Sequence, residues 1–259
     1  TTSEPTTTTT APPPRMDQSF TVTVAGAFGT AVFDRTNSQV VVTQSNQVGH
    51  QELEVAVQDP TGLPEMFFKF ASRKESNENL EVGYYGDAQR WPFNGSGRPG
   101  IAIHSLGFCN DQSGNFEVRD IGRDGPAINR IWITYQRYCD GDRPAYGELR
   151  LGYPAPAYAV APQVVRWPEA EPTRQSLDVP IVVRPTAADP MQVTGVSVAG
   201  THAADFPVRA NGCSGVVGTG GCAVLVGFTP QAAGQRHAEL RVSTSVGTTR
   251  VSLDGKGAL

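Results

Sequence analysis

Apolar residues at every second position, broken at short intervals by turn-forming residues, run through most of this chain. The clearest case lies between Cys213 and Gly257, where Cys222, Val224, Val226 and Phe228 alternate, then Ala238, Leu240 and Val242, then Val251 and Leu253. A period of two sets one face of an extended strand against a core. Thr229, Pro230 and Gly234 separate the first run from the second, and residues 245–249 separate the second from the third, compositions that turn a chain. Three short strands with no helical interval predict an antiparallel β-sandwich.

The same pattern fills the first half. Phe20, Val22 and Val24 alternate, as do Leu53, Val55 and Val57; apolar runs also occur at 40–42 and 66–70. A second series follows at Leu80, Val82 and Tyr84, at Ile101 and Ile103, at Phe116 and Val118, at Ile131, Ile133 and Tyr135, and at Leu149, Leu151 and Tyr153. About nine strands fit a sandwich or jelly roll. No long stretch carries the apolar spacing of a helix, so the expected fold class is all-β.

A chain of 259 residues is long for one sandwich and comfortable for two. The expected organisation is a disordered Thr/Pro-rich arm at 1–19, a β-sandwich domain at 20–154, a stiff Pro/Ala-rich linker at 155–162 and a second β-sandwich at 163–259. The arm has almost no apolar content to offset the entropy of ordering it. It fits the spacer of a secreted protein or of one tethered to the surface, and the arm's composition leaves open whether a lipid anchor precedes Thr1.

With 21 basic and 25 acidic residues the net charge is -4, and there is no basic block, so nucleic acid is not an expected partner. No apolar run is long enough for a membrane span. The four cysteines fall two per expected domain, without the close spacing of a zinc site. Only the pairs Cys109 with Cys139 and Cys213 with Cys222 keep each bridge inside one domain. Such bridges place the protein in an oxidising compartment, outside the cell or in its envelope.

Catalytic signals are weak. His50, His104, His202 and His237 are scattered, and none accompanies a Gly-x-Ser-x-Gly elbow. Glu52 and Glu54 read as a solvated strand face, and Asp140-Gly141-Asp142 as a hairpin turn in preference to a calcium loop. No catalytic residue, metal or cofactor is expected. The cluster Tyr84, Tyr85, Trp91 and Phe93, with Arg90 and Arg98, is the candidate recognition surface, because flat rings with polar edges suit a sugar face or a protein partner.

Two resemblances add to this reading. Residues 80–153 carry Arg90-Trp91-Pro92-Phe93, Pro99-Gly100, Cys109-Asn110, Gly114-Asn115-Phe116-Glu117-Val118 and Tyr135-x-x-x-Cys139-x-Gly141, and they resemble a module of secreted bacterial proteins without an assigned activity. Residues 163–257 carry Thr194-Gly195-Val196, Asp205-Phe206, Cys213, Gly221-Cys222, Phe228-Thr229-Pro230, Gly234, Gly255 and Gly257 in order. These resemble the immunoglobulin-like domains grouped as ASH, MSP and "choice-of-anchor D" repeats, which implies stacking and interaction without catalytic machinery. The resulting expectation is a non-catalytic, secreted or cell-surface structural or adhesive protein of bacterial type. Its partner would be a protein or glycan at the cell surface, or a second copy. The alternative is a carbohydrate-binding accessory protein that uses the aromatic loop around Trp91.

Overall fold

The computed structural model describes residues 15–26, 31–47, 49–105, 109–140, 145–154, 157–186 and 190–259. The protein is all-β, and the described residues contain one short 3-10 turn, Ala203–Asp205, and no α-helix. Strands β1 (Phe20–Gly26), β2 (Ala31–Asp34), β3 (Gln39–Gln47), β4 (His50–Gln58), β5 (Pro64–Ala71), β6 (Gly83–Arg90), β7 (Gly100–His104), β8 (Gln112–Asp124), β9 (Ala127–Cys139) and β10 (Ala145–Leu151) form one ten-stranded sheet. Its order is β2-β1-β10-β9-β8-β6-β7-β5-β4-β3. Every pairing is antiparallel except β6 with β7.

This sheet rolls until it nearly closes. Phe68 on β5 meets Tyr135 on β9 with ring centroids 5.8 Å apart, although three strands lie between them in the sheet. On the edge strand β3, Gln44 uses its side-chain amide as a strand would use its backbone: Nε2 donates to the Ile128 carbonyl (2.6 Å) and Oε1 accepts from the Ile128 N–H (2.7 Å). The inward residues of every second position, among them Val22, Leu53, Val55, Phe68, Phe70, Ile101, Phe116, Ile131 and Leu149, make one fully buried core. Alternation along the strands thus reads as expected, but the strands close on one another within a single sheet.

The second half begins with β11 (Tyr158–Ala161) and β12 (Val164–Arg166), followed by β13 (Val179–Pro185), β14 (Met191–Ala199), β15 (Val208–Asn211), β16 (Gly215–Val217), β17 (Cys222–Val226), β18 (Gly234–Thr244) and β19 (Gly247–Gly257). They form a four-stranded sheet, β11-β13-β17-β15, and a five-stranded sheet, β12-β19-β18-β14-β16. Val160, Ile181, Val183, Val224 and Val226 from the first sheet share a core with Val165, Leu240, Val242, Val251 and Leu253 from the second. Trp167, Phe206 and Phe228 close one end of that core with centroids 5.1–6.0 Å apart. Gly255 is required there, since a Cβ would overlap the Phe228 ring.

Two boundaries differ from the expectation. Residues 1–14 lie outside the described residues, but 15–19 are not arm: Ser19 N–H and Gln18 N–H both donate to the Arg15 carbonyl, and Met16 is buried in the first core. The apolar Met16 supplies the burial that the threonines and prolines before it lack. The linker is also shorter than 155–162, because Tyr158–Ala161 pairs with β13 and is buried throughout. A Pro/Ala-rich composition does not distinguish a spacer from a short edge strand whose outer residues are covered.

Both cysteine pairs are bonded as expected, with Cα–Cα distances of 5.7 Å for Cys109–Cys139 and 5.2 Å for Cys213–Cys222. Cys109, Cys139 and Asp140 lie close enough to hold a metal ion, but the two sulfurs are committed to each other. The Asp140 carboxylate is also in use, accepting the Asp111 N–H at 2.8 Å. Asp142 lies outside the described residues. No helix among the described residues is long and apolar enough to cross a membrane.

Candidate functional site

The face of β9 that points away from the first core carries Trp132, Thr134, Gln136 and Tyr138, and that of β10 carries Tyr146, Glu148 and Arg150. Three of these side chains are large aromatic rings, and much of the face is covered: Thr134, Gln136, Tyr146 and Glu148 are each 5% exposed or less. The second half of the chain lies against them, and Tyr146 joins its core.

Glu148 is the centre of this junction. Its carboxylate accepts from the Gln163 N–H (3.1 Å) and the Trp132 indole N–H (3.4 Å), and it pairs with Arg150 (3.0 Å). Arg150 stacks over the Trp132 ring at 4.1 Å and donates to the Gln163 side chain at 2.5 Å. Burial pushes the Glu148 carboxyl above its ordinary pKa, and Arg150 and the donated hydrogen bonds only partly offset this. Arg166, at the end of β12, forms an ion pair with Glu117 on β8 and lies 5.4 Å over the Tyr84 ring. A further contact joins the two halves of the chain: Arg184 on β13 donates to the Val32 carbonyl at 2.5 Å, close to the buried Asp34.

Beside this junction runs a groove. One cavity of about 480 Å³ is lined by Tyr84, Asp87, Gln89, Arg98, Asn115 and Tyr138. A second, of about 490 Å³, adjoins it through Tyr84, Asn115 and Tyr138 and continues to Arg166, Gln235 and Lys256. The groove's inner residues are held by a short network. Asn115 Nδ2 donates to Gln136 Oε1 (3.3 Å), and Gln136 Nε2 donates to the hydroxyls of Tyr138 (2.7 Å) and Tyr146 (3.3 Å). Burial raises the pKa of the Tyr84 and Tyr138 phenols, which therefore stay protonated hydroxyls.

The six residues of the expected recognition surface are dispersed, with Arg98 among the groove's lining. Tyr85 is core, stacked on Phe116 with centroids 4.6 Å apart and planes 6° apart. Tyr84, its neighbour on the opposite face of β6, lines the groove. Arg90 donates to the Asn110 carbonyl (2.7 Å) and covers the exposed Phe93 ring at 4.9 Å. Trp91 packs on Gly100 and lies 4.6 Å from the His50 ring. Strand alternation explains the split: Tyr84 and Tyr85, adjacent in sequence, cannot share a face. Tyr138, Asn115, Gln136 and Arg166 form no local sequence motif; the polar-aromatic outer face of β9 is a signal for Gln136 and Tyr138, whereas Asn115 on β8 and Arg166 on β12 join them only through the fold.

The histidines serve structural contacts. His50 lies 2.9 Å from Glu52, His104 stacks on Phe67, and His202 accepts the His237 N–H. His237 Nδ1 lies 2.7 Å from Asp254 Oδ1, and Ser252 donates to Asp254 Oδ2 at 3.1 Å. The carboxylate stands between the hydroxyl and the imidazole, which is not the order that activates a serine.

No family model matches this chain, and no curated protein matches it. Among solved structures, the VesB protease of Vibrio cholerae is similar at a TM-score of 0.31 and 12% identity, over 92% of this chain and 95% of that one. That degree of likeness carries no activity across.

Proposed function

We propose that the chain is a non-catalytic, secreted or cell-surface binding protein of bacterial type, built of two tandem β modules, the first a rolled sheet and the second immunoglobulin-like. It presents a fixed surface to a protein or glycan partner. The observation that carries this reading is the junction centred on Glu148, where a buried carboxylate, two arginines and two aromatic side chains tie the modules together. A spacer or adhesive unit needs such a fixed relation between its parts, because ordering a loose joint on binding would cost affinity. The two disulfides fit an extracellular or envelope setting. The resemblance of residues 163–257 to stacking immunoglobulin-like domains points the same way.

Co-sedimentation of the purified chain with bacterial envelope preparations tests the reading, run beside hydrolysis assays on casein and on nitrophenyl esters and glycosides. Sedimentation without turnover is expected. Turnover that follows the protein through two successive columns, or failure to sediment with any envelope fraction, overturns it.

A further inference from the structure

We infer that the groove lined by Tyr84, Asn115 and Tyr138 binds a neutral oligosaccharide. This deepens the proposed binding function by naming a ligand class and a site, and it rests on that reading.

The cations of the groove are already paired. Arg98 pairs with Asp87 at 2.8 Å, Arg166 with Glu117, and Lys256 with Glu169 at 2.9 Å, while Asp254 is held by the Ser252 hydroxyl (3.1 Å) and the His237 ring (2.7 Å). An ionic ligand would have to break one of these pairs. What remains is a set of neutral groups that both donate and accept, namely the phenols of Tyr84 and Tyr138 and the amides of Asn115 and Gln235; the buried Gln136 is spent on Asn115, Tyr138 and Tyr146. Hydroxyl groups of a sugar are their natural complement.

The shape agrees with the chemistry. Tyr84 is on β6, Asn115 on β8 and Tyr138 on β9, so the row crosses two strand spacings, about 10 Å. It then continues past Arg166 into the second cavity, a span for several sugar units and too long for one. Tyr84, half exposed, offers an amphipathic ring at the edge of both cavities. Gln136 fixes Asn115 and the Tyr138 hydroxyl before any ligand arrives, which lowers the ordering cost of binding.

A peptide adding as a strand is a poor occupant. The floor is the interior of a sheet, where β8 is paired with β6 on one side and β9 on the other, so no free backbone edge is presented.

The test uses the full chain and an array of neutral hexasaccharides (cellohexaose, chitohexaose, xylohexaose and mannohexaose), with alginate and heparin oligomers as charged controls. At least one neutral hexasaccharide should bind, with affinity unchanged between 0.15 and 1 M salt. Tyr84→Ala and Asn115→Ala, both at solvent-facing positions, should each weaken it about tenfold or more while leaving the melting temperature within a few degrees. Trp91→Ala should leave it unchanged. Binding confined to the charged oligomers, no neutral binding, or loss on Trp91→Ala with retention in both groove variants overturns the inference. Envelope sedimentation that persists without neutral-glycan binding would sink the groove and spare the proposed function.

Discussion

At the scale of single residues, the closest constraints are steric and electrostatic. Gly147 on β10 faces the Thr23 carbonyl and the Tyr135 hydroxyl, which itself donates to that carbonyl at 3.0 Å; a Cβ would overlap both. Gly147→Ala is expected to cost about 3 kcal/mol, the upper end for overpacking a core, whereas Gly195→Ala, which meets no atom, should stay within about 0.5 kcal/mol. Urea midpoints at constant m-value check both. Two carboxylates should respond to pH with opposite signs. Asp120 accepts from the Tyr153 hydroxyl (2.6 Å) and Arg130 (3.1 Å), which hold its pKa below the ordinary value. Its contribution is present above the unfolded pKa and is lost as pH falls through the folded one; the partly exposed site keeps it small. Glu148, raised by burial, does the reverse: the cost of its charge appears as pH rises through the folded pKa, above about 4.5. Glu148→Gln should therefore remove a fall in stability with rising pH in that window, and Asp120→Asn a rise at lower pH, both read from urea midpoints across pH 3 to 8. Matching slopes in wild type and variants would refute both assignments.

At the scale of elements, the bridges differ in what they close. Cys109–Cys139 ties the end of β9 to the segment before β8 across a sequence separation of 30, and Cys213–Cys222 ties the segment after β15 to β17 across 9. On chain entropy these correspond to about 3.5 and about 2.5 kcal/mol. Replacing each pair by serines should thus lower the unfolding free energy by more for the first than for the second, and equal losses would mean that native-state effects dominate. Strand faces such as Val224, Val226 and Leu240 were legible because one side of each strand is buried and the other is not. The pairing of the cysteines was legible because only one connectivity keeps both bridges local. The rolled sheet was not, since alternation reports which face is buried and says nothing of which strand lies beside which. Tyr158–Ala161 was missed for a related reason: buried on both faces, it shows no alternation. The site was less legible than the fold. Aromatic residues close in sequence marked the Trp91 loop, whereas the groove gathers Tyr84, Asn115, Tyr138 and Arg166 from four strands.

At the scale of the whole molecule, the question is whether the two cores are thermodynamically separate. Tyr146, from β10, is 4% exposed within the second core, and Val32, Ala159 and Val182 form a small apolar cluster across the junction. Neither half buries its own surface completely. A fragment of residues 163–259 further lacks β11, which removes Tyr158 and Val160 from the edge of the four-stranded sheet and uncovers Val183. At about 2 kcal/mol for each buried side chain, that strand contributes about 4 kcal/mol, a large fraction of what a domain of this size has to spare. Residues 157–259 should therefore unfold cooperatively in urea, and residues 163–259 should be far less stable or molten. The longer fragment should still melt below the second half of the intact chain, because it lacks Tyr146 and the Glu148 contacts. In the intact chain the coupling should produce one transition, with intrinsic fluorescence and far-ultraviolet dichroism following the same curve. Two separate transitions, one of them at the midpoint of the 157–259 fragment, would show that the junction holds the modules in place without stabilising either, and the reading of a load shared across Glu148 would fall.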